Sequence, residues 1–215
     1  MREGLFIVLE GVDGAGTTTH TTRLTDALRT RTAVRETREP TAGPVGALLR
    51  HALTGRLVTP GAIMARAPGW STMALMFAAD RMDHLEAEIL PMLYEGVSVI
   101  CDRYYHSSVA YQSLTAGGDH DAIAWIREIN RHARKPDLTL VLDVPAKVAA
   151  ERRRRRGGRE LFDDEELQAR LCEFYAQLDR HFPAERIVHV NADAPIESVA
   201  AQLLGQVERL LLERG

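Results

Sequence analysis

The chain contains very few lysines and cysteines. Of its 27 basic residues only Lys135 and Lys147 are lysines, and the formal net charge is −3. The sequence therefore lacks the overall positive field of a nucleic-acid-binding protein, and we expect no nucleic-acid partner. Its two cysteines, Cys101 and Cys172, lie far apart in apolar patterns without metal-ligand spacing. They are interpreted as reduced, buried thiols of a cytoplasmic protein.

Long hydrophobic runs are also missing. No apolar stretch approaches the roughly 18 residues that a membrane span needs, and residues 1–4 lead directly into a strand pattern rather than a signal sequence. The eight histidines show no recurring metal-ligand spacing. These absences predict a protein that does not enter a membrane, and they exclude a histidine-based metal motif.

Short apolar runs alternate with helical patterns along all 215 residues. The apolar runs predict strands at residues 5–9, 33–36, 97–101, 138–142 and 187–190. Helical periodicity predicts helices at residues 17–29, 45–53, 73–93, 107–114, 121–132, 146–156, 163–182 and 196–212. This alternation predicts one α/β domain, with a parallel sheet, helices on both faces and ligands at the carboxyl ends of the strands.

Residues 5–24, LFIVLEGVDGAGTTTHTTRL, have the layout of a phosphate-binding loop between a strand and a helix. Gly11, Gly16 and Thr18 fill the pattern G-x-x-x-x-G-K-[ST], but Thr17 occupies the lysine position. The loop N–H groups and the helix N-terminus would bind phosphates, and the Thr18 hydroxyl suits Mg²⁺. Phosphate binding is favoured over an ordinary helix start, although a neutral threonine cannot supply the lysine's charge.

Two further segments suggest phosphate chemistry. Asp102-Arg103-Tyr104 directly follows a strand, where a carboxylate can organise Mg²⁺ and an arginine can bind phosphate. Asp13, Arg38 and Asp143 also follow strands, so all belong to one edge of the sheet. Residues 151–159, ERRRRRGGR, are interpreted as a lid that closes on phosphates. The alternatives are a solvated helix end and a nucleic-acid patch.

Phe77 and Arg81 lie four residues apart on one predicted helix face. Such a pair could stack on a nucleobase and bond its edge. From the pattern alone, however, an aromatic residue at helical spacing is more often part of the core, and the same holds for Tyr111 and Gln112.

Taken together, the motifs EGVDGAG, TREP, FAADR, DRYYHSSVAYQ and PDLTLVLDVP, followed by the arginine-rich segment, resemble the thymidylate kinase family. The resemblance covers nearly the whole chain in the right order. It implies a P-loop nucleoside monophosphate kinase fold with a five-stranded parallel sheet, in one domain of residues 1–215 with a lid at about 151–162. It also implies a homodimer that transfers the γ-phosphoryl group of ATP to dTMP with Mg²⁺, giving dTDP and ADP.

The resemblance assigns roles residue by residue. The residues that would bind ATP are Gly11, Val12, Asp13, Gly14, Ala15, Gly16, Thr17, Thr18 and Thr19. Those that would bind the acceptor are Arg38, Arg50, Phe77, Arg81, Arg103, Ser107, Ser108, Tyr111 and Gln112. The catalytic set would be Asp13, Asp102, Arg103, Arg153, Arg156 and Arg159. Thr18 and Asp102 would hold the metal. For Phe77 this assignment replaces the core interpretation.

The sequence departs from the family at Thr17, where a lysine is expected. Losing such a transition-state contact typically costs a few kcal/mol, or roughly two to three orders of magnitude in rate. Gly14 and Ala15 with the arginine run resemble the family type that keeps its catalytic basic residues in the lid. A lid arginine, Arg23 or Arg103 could offset the loss. The alternatives are a nucleotide-binding homologue with weak or lost kinase activity and a kinase for another nucleoside monophosphate.

Overall fold

The computed structural model describes residues 3–61, 64–118, 120–157 and 161–214. The predicted lid residue Arg159 lies outside the described residues, and so does the side chain of Arg156. The sheet has five parallel strands in the order β2-β3-β1-β4-β5. Their bounds are β1 Phe6–Glu10, β2 Val34–Arg38, β3 Ser98–Asp102, β4 Leu138–Asp143 and β5 Ile187–Asn191. The predicted five-stranded parallel sheet is confirmed, and each strand lies within two residues of its predicted bounds.

Helices flank the sheet. In chain order they are α1 Thr17–Arg29, α2 Pro44–Leu53, α3 Trp70–His84, α4 Leu90–Tyr94, α5 Tyr105–Thr115, α6 His120–Ile129, α7 Ala146–Arg156, α8 Glu165–Tyr175, α9 Leu178–His181 and α10 Ile196–Arg214. The central strands β1 and β3 are buried along their whole length. Burial on both faces explains why these strands are nearly continuous apolar runs in the sequence.

The strand register places polar residues at one edge of the sheet. Arg38 pairs with Asp102, and Leu9 pairs with Asp102 from the other side. Asp143 pairs with Asn191 at the end of β4. Because all strands run in the same direction, their carboxyl ends meet where the phosphate-binding loop follows β1. The predicted common edge is therefore present.

The predicted helix at residues 73–93 has the right extent but a different internal geometry. A π-helical segment, Leu85–Ile89, separates α3 from α4. Pro91 lies in the first turn of α4, where a proline lacks the N–H that would continue the regular ladder. The wider turn before it accommodates this break. One continuous α-helix was therefore the wrong description of this segment.

Two other helix ends differ from prediction for identifiable reasons. Helix α5 begins at Tyr105 because the Glu10 carboxylate accepts from the backbone N–H groups of Tyr104 and Ser107, at 2.8 and 3.2 Å. This cap comes from a distant strand. Helix α6 ends at Ile129 because the Asn130 amide donates to the Ile126 carbonyl. The predicted helix at residues 163–182 is divided into α8 and α9, and no proline or glycine accounts for the division.

Both cysteines are free, and burial raises the pKa of the Cys101 thiol. The prediction of a buried thiol is right for Cys101 and wrong for Cys172, which is only partly buried. Within the part of the chain that the structure describes, no helix is long and apolar enough to cross a membrane.

Candidate active site

The phosphate-binding loop connects β1 to α1 through glycines in unusual backbone conformations. Gly14 and Gly16 have φ of +90° and +98°, values that residues with a side chain rarely adopt. A Cβ on Gly14 would also lie 2.5 Å from the Ala149 carbonyl oxygen, so α7 packs directly on the loop. Gly16 caps α1 without a side-chain hydrogen bond, which leaves the first N–H groups of the helix to an anion.

A cavity of about 880 Å³ opens beside this loop. Its lining includes every predicted acceptor residue: Arg38, Arg50, Phe77, Arg81, Arg103, Ser107, Ser108, Tyr111 and Gln112. From the loop, the lining includes Asp13, Gly14, Gly16, Thr17, Thr18 and Thr19. Gly11, Val12 and Ala15 are buried beneath it. One cavity therefore joins the loop to the predicted acceptor residues.

Arg103 and Asp13 form an ion pair in the wall of the cavity. An Arg103 Nη2 donates to Asp13 Oδ1 at 2.6 Å, and Nη1 donates to Ser107 Oγ at 3.1 Å. Burial alone would lower the pKa of Arg103, but the Asp13 carboxylate bonded to it holds the pKa above its usual value. The guanidinium is therefore charged at any physiological pH.

The backbone of Arg103 is strained, with φ of +69°. A non-glycine residue in this region costs of order 1 kcal/mol or more, and such residues cluster at functional sites. The Arg103 N–H donates to the Leu9 carbonyl at 2.9 Å, so the sheet itself fixes this conformation. The strain turns the side chain into the cavity, where it meets Asp13.

Glu10 organises the surroundings of Arg103 although its side chain is fully buried. Its Oε2 accepts from Ser107 Oγ at 2.7 Å and from the Tyr175 hydroxyl at 3.0 Å. Ser107 in turn accepts from Arg103. Burial raises the pKa of Tyr175 well above its usual value, so this phenol stays protonated as a donor. Ser107 therefore supports Arg103 in addition to lining the cavity.

Arg81 is 1% exposed and is held from several sides. Its guanidinium donates to Glu39 Oε2 at 2.7 Å, to Asn130 Oδ1 at 2.5 Å and to Ser108 Oγ at 3.1 Å. The Nε–H remains buried without a partner among the described residues. A buried donor without a partner is costly, so this N–H requires an acceptor that the described residues do not supply, either a water or a ligand.

Gln112 carries a buried acceptor where Arg81 carries a buried donor: its Oε1 has no partner in the described part of the chain. The side chain of Gln112 is 1% exposed and lines the same cavity as Arg81. Phe77 also lines this region and is half-buried, in contact with the small cluster of Leu49, Ala52 and Met73. Phe77 therefore packs against this hydrophobic cluster and also forms part of the cavity wall.

Thr18 and Asp102 meet at the loop, and their chemistry suits Mg²⁺. The Thr18 hydroxyl donates to Asp102 Oδ2 at 2.5 Å, while Asp102 Oδ1 is buried and has no partner among the described residues. Over the same residues, no three His, Cys, Asp or Glu side chains form a metal cluster. Mg²⁺ commonly uses one or two carboxylates together with substrate phosphates, so this pair fits it.

The described part of the arginine run reaches the loop. Arg153 Nη1 donates to the Asp13 carbonyl oxygen at 2.8 Å, and Arg152 lines the cavity. Arg155 instead pairs with Glu151 at 2.6 Å on the exposed helix surface. Arg23 points elsewhere, 3.7 Å from Glu197, and does not line the cavity. The structure thus brings Arg153 to the backbone of the loop that contains Thr17, although Arg152 rather than Arg153 lines the cavity, and Arg23 contacts neither.

A family model for thymidylate kinase matches residues 9–203. This chain belongs to the thymidylate kinase family. It is 39% identical over 211 residues to a probable thymidylate kinase of Pyrococcus horikoshii, covering 97% of this chain and 98% of that protein. It is 40% identical over 212 residues to a probable thymidylate kinase of Thermococcus kodakarensis, with 97% and 100% covered. A thymidylate kinase of Alkalilimnicola ehrlichii is 39% identical over 208 residues, with 94% and 92% covered.

Several residues of this thymidylate kinase family site were not recognised in the sequence. Glu10 could have been suspected, because a carboxylate closes an otherwise apolar strand. Glu39 lies in the TREP motif directly after β2, but it was given no role. Asn130, Gln168 and Tyr175 gave no such signal, since each reaches the site only through the tertiary fold. Gln168 is the least expected, because it donates to the Asp13 carboxylate from α8.

Proposed function

We propose that this chain transfers the γ-phosphoryl group of ATP to dTMP, giving dTDP and ADP. The observation that carries the proposal is the single cavity that joins the phosphate-binding loop to Arg81 and Gln112. A donor nucleotide at the loop and an acceptor at the far end would then face each other across Asp13 and Arg103. The family membership and the names of its relatives support the same reaction.

The unpaired groups at the far end of the cavity favour thymine. Thymine offers an acceptor, O4, next to a donor, N3–H, and these complement the Arg81 Nε–H donor and the Gln112 Oε1 acceptor. Cytosine offers the reverse order, a donor amine next to an acceptor nitrogen. A site built around paired hydrogen bonds rejects a base that leaves its buried groups unpaired. Phe77 would stack on the ring.

The charged residues of the cavity indicate where the acceptor phosphate and the transferring phosphates would bind. Arg38 and Arg50 are exposed at the cavity wall, where they would hold the acceptor phosphate. Thr18 and Asp102 would hold Mg²⁺, which neutralises charge on the transferring phosphates when bound. Asp13 would contact the acceptor sugar, and Arg103 would stabilise the transferring group while Asp13 keeps it in place.

We infer that Arg153 offsets the lysine missing at Thr17. Thr17 is 6% exposed and begins α1, so it lines the phosphate site without supplying charge. Arg153 donates a hydrogen bond to the backbone of the loop. A guanidinium can also contact a phosphate through two N–H groups. Arg156 and Arg159 remain proposed partners in the same role. The weakened-kinase alternative is not favoured, because the Arg153 guanidinium is available at the loop and the relatives are named thymidylate kinases.

The segment at about residues 151–162 would act as the lid of a single domain. Phe162 lines the cavity, and the Leu161 N–H donates to the Leu53 carbonyl at 2.9 Å, so the end of the segment already lies over α2. A homodimer, implied by the family resemblance, and a cytoplasmic location, indicated by the two reduced cysteines, are further parts of the proposal.

A coupled ADP-release assay with ATP and Mg²⁺ tests the proposal against dTMP, dUMP, dCMP and dAMP. We expect turnover with dTMP, weaker turnover with dUMP because that base lacks the apolar methyl group, and a preference over dCMP of at least about 100-fold. Arg153→Ala should lower kcat by about 100-fold, whereas Thr17→Lys should change it far less. No dTMP-dependent turnover with ATP binding intact would contradict the kinase assignment. A silent wild type rescued by Thr17→Lys would instead support the weakened homologue.

A further inference from the structure

Gln168 links the Asp13 carboxylate to the segment that precedes α8. Its Nε2 donates to Asp13 Oδ2 at 3.2 Å and to the Phe162 carbonyl at 2.7 Å. The side chain is 2% exposed, so water does not compete for these bonds. One amide group thus contacts both a reaction residue in the loop and the end of the proposed lid.

The two oxygens of Asp13 are held by different elements. Oδ1 accepts from Arg103, which follows β3, and Oδ2 accepts from Gln168 on α8. The backbone carbonyl of Asp13 accepts from Arg153 on α7. A carboxylate held at both oxygens has one orientation, whereas a carboxylate held at one oxygen can rotate about its χ2 torsion. Gln168 therefore supplies the second constraint.

Phe162 connects the Gln168 amide, and through it the orientation of Asp13, to the end of the proposed lid. Its ring packs edge-on against Tyr111, with ring centroids 5.3 Å apart, and its carbonyl accepts from Gln168. A displacement of residues 161–162 would move Phe162 and withdraw one of the two acceptors that fix the Gln168 amide. The Asp13 carboxylate would then lose its orientation as the segment moves away.

We propose that Gln168 is a positioning residue of the reaction, which orients the Asp13 carboxylate only while the segment containing Phe162 lies against α8. The inference rests on the proposed phosphoryl transfer. Gln168 does not line the cavity and acts through Asp13 rather than on the substrate. It also makes the Asp13 orientation depend on lid position, so that transfer is favoured when the cavity is covered.

Two substitutions separate positioning from packing. Gln168→Leu removes the amide at similar volume, and we expect kcat to fall about tenfold while KM for dTMP changes less than about threefold. Gln202→Leu on α10 is the matched control, because Gln202 is exposed and bonds only Ser198 among the described residues. The melting temperatures of both variants should remain close to that of the wild type. Unchanged kcat in Gln168→Leu would overturn the proposal.

Gln168→Glu supplies a pH readout that packing cannot imitate. The new carboxylate would face Asp13 Oδ2, and a proton shared at low pH would restore one hydrogen bond. The activity of the variant relative to wild type should therefore rise as pH falls. Among the described residues, the charged or titratable groups around this pair include Arg103, Arg153, Tyr111 and Tyr175, with Glu10 bonded to Tyr175 and Cys172 one turn along α8. The Asp13 carboxylate holds the pKa of the Arg103 guanidinium above its usual value, and burial raises the pKa of both phenols, so they stay neutral. A profile parallel to wild type would contradict the positioning role.

A crystal structure of Gln168→Leu gives a readout that requires no turnover. A rotated Asp13 carboxylate, or one that has lost its contact with Arg103, supports the proposal. An Asp13 carboxylate in the wild-type orientation overturns it. If wild type proves inactive with dTMP, the proposed function fails while this structural result still decides whether Gln168 orients Asp13.

Discussion

The buried pair of Arg81 and Glu39 allows a prediction of measurable size. Their side chains are 1% and 3% exposed and meet at 2.7 Å. Among the described residues, Arg81→Leu would leave the buried Glu39 carboxylate with the His84 ring, at 3.3 Å, as its only remaining side-chain partner. Breaking a buried pair from one side costs about 3–5 kcal/mol, because the other charge is left without compensation. We expect a loss of this size in the free energy of unfolding, measured by urea denaturation.

The double variant Arg81→Leu with Glu39→Leu tests the physical reason. Removing both charges removes the desolvation cost, so the free energy of unfolding should return to within about 2 kcal/mol of wild type. The exposed pair Arg29 and Asp26, with side chains 56% and 59% exposed, is the control. Arg29→Leu should change the free energy of unfolding by less than about 1 kcal/mol. A double variant as unstable as the sum of the two single variants would refute the reasoning.

Three other predictions concern the loop, the metal pair and the edge of the sheet. Gly14→Ala should weaken ATP binding measured by calorimetry, because its Cβ would collide with the Ala149 carbonyl at a φ of +90°. Asp102→Asn should lower Mg²⁺-dependent kcat by about 100-fold or more with little change in melting temperature; equal kcat would contradict the metal role. Asp143, 2.8 Å from His189, raises the pKa of that imidazole above 6.5 through a hydrogen bond. The stabilisation is present below that unfolded-state value and is lost as pH rises through the folded pKa, so Asp143→Asn should cost stability at about pH 5.5 and little at about pH 8.5.

The reaction centre shows how a missing residue can coexist with an ordered site. Thr17 removes the lysine charge, yet Arg103 and Arg153 both bond Asp13, through its side chain and its backbone. The positive charge next to the loop is therefore supplied by the turn after β3 and by α7. This distribution makes the site depend on the packing of three elements rather than on one loop.

Local patterns predicted most of the fold. The strand at residues 5–9, the glycine turn and the helix at residues 17–29 are each determined within a few residues, because apolar runs, glycine spacing and helical periodicity act at short range. The same holds for the common edge that carries Asp13, Arg38 and Asp102, since parallel strands align their carboxyl ends. The predicted acceptor residues line one cavity, and their individual roles stay predictions.

The sequence by itself determined the sheet, the phosphate-binding loop and the identity of the groups at its edge. Only the tertiary structure decided how those groups are held. Glu10 caps α5 from 94 residues away, and Gln168 reaches Asp13 across 155 positions. Such contacts have no periodicity along the chain, because they depend on how separate elements pack. The orientation of Asp13, the strain at Arg103 and the Arg81 N–H that lacks a partner in the described part of the chain all follow from that packing.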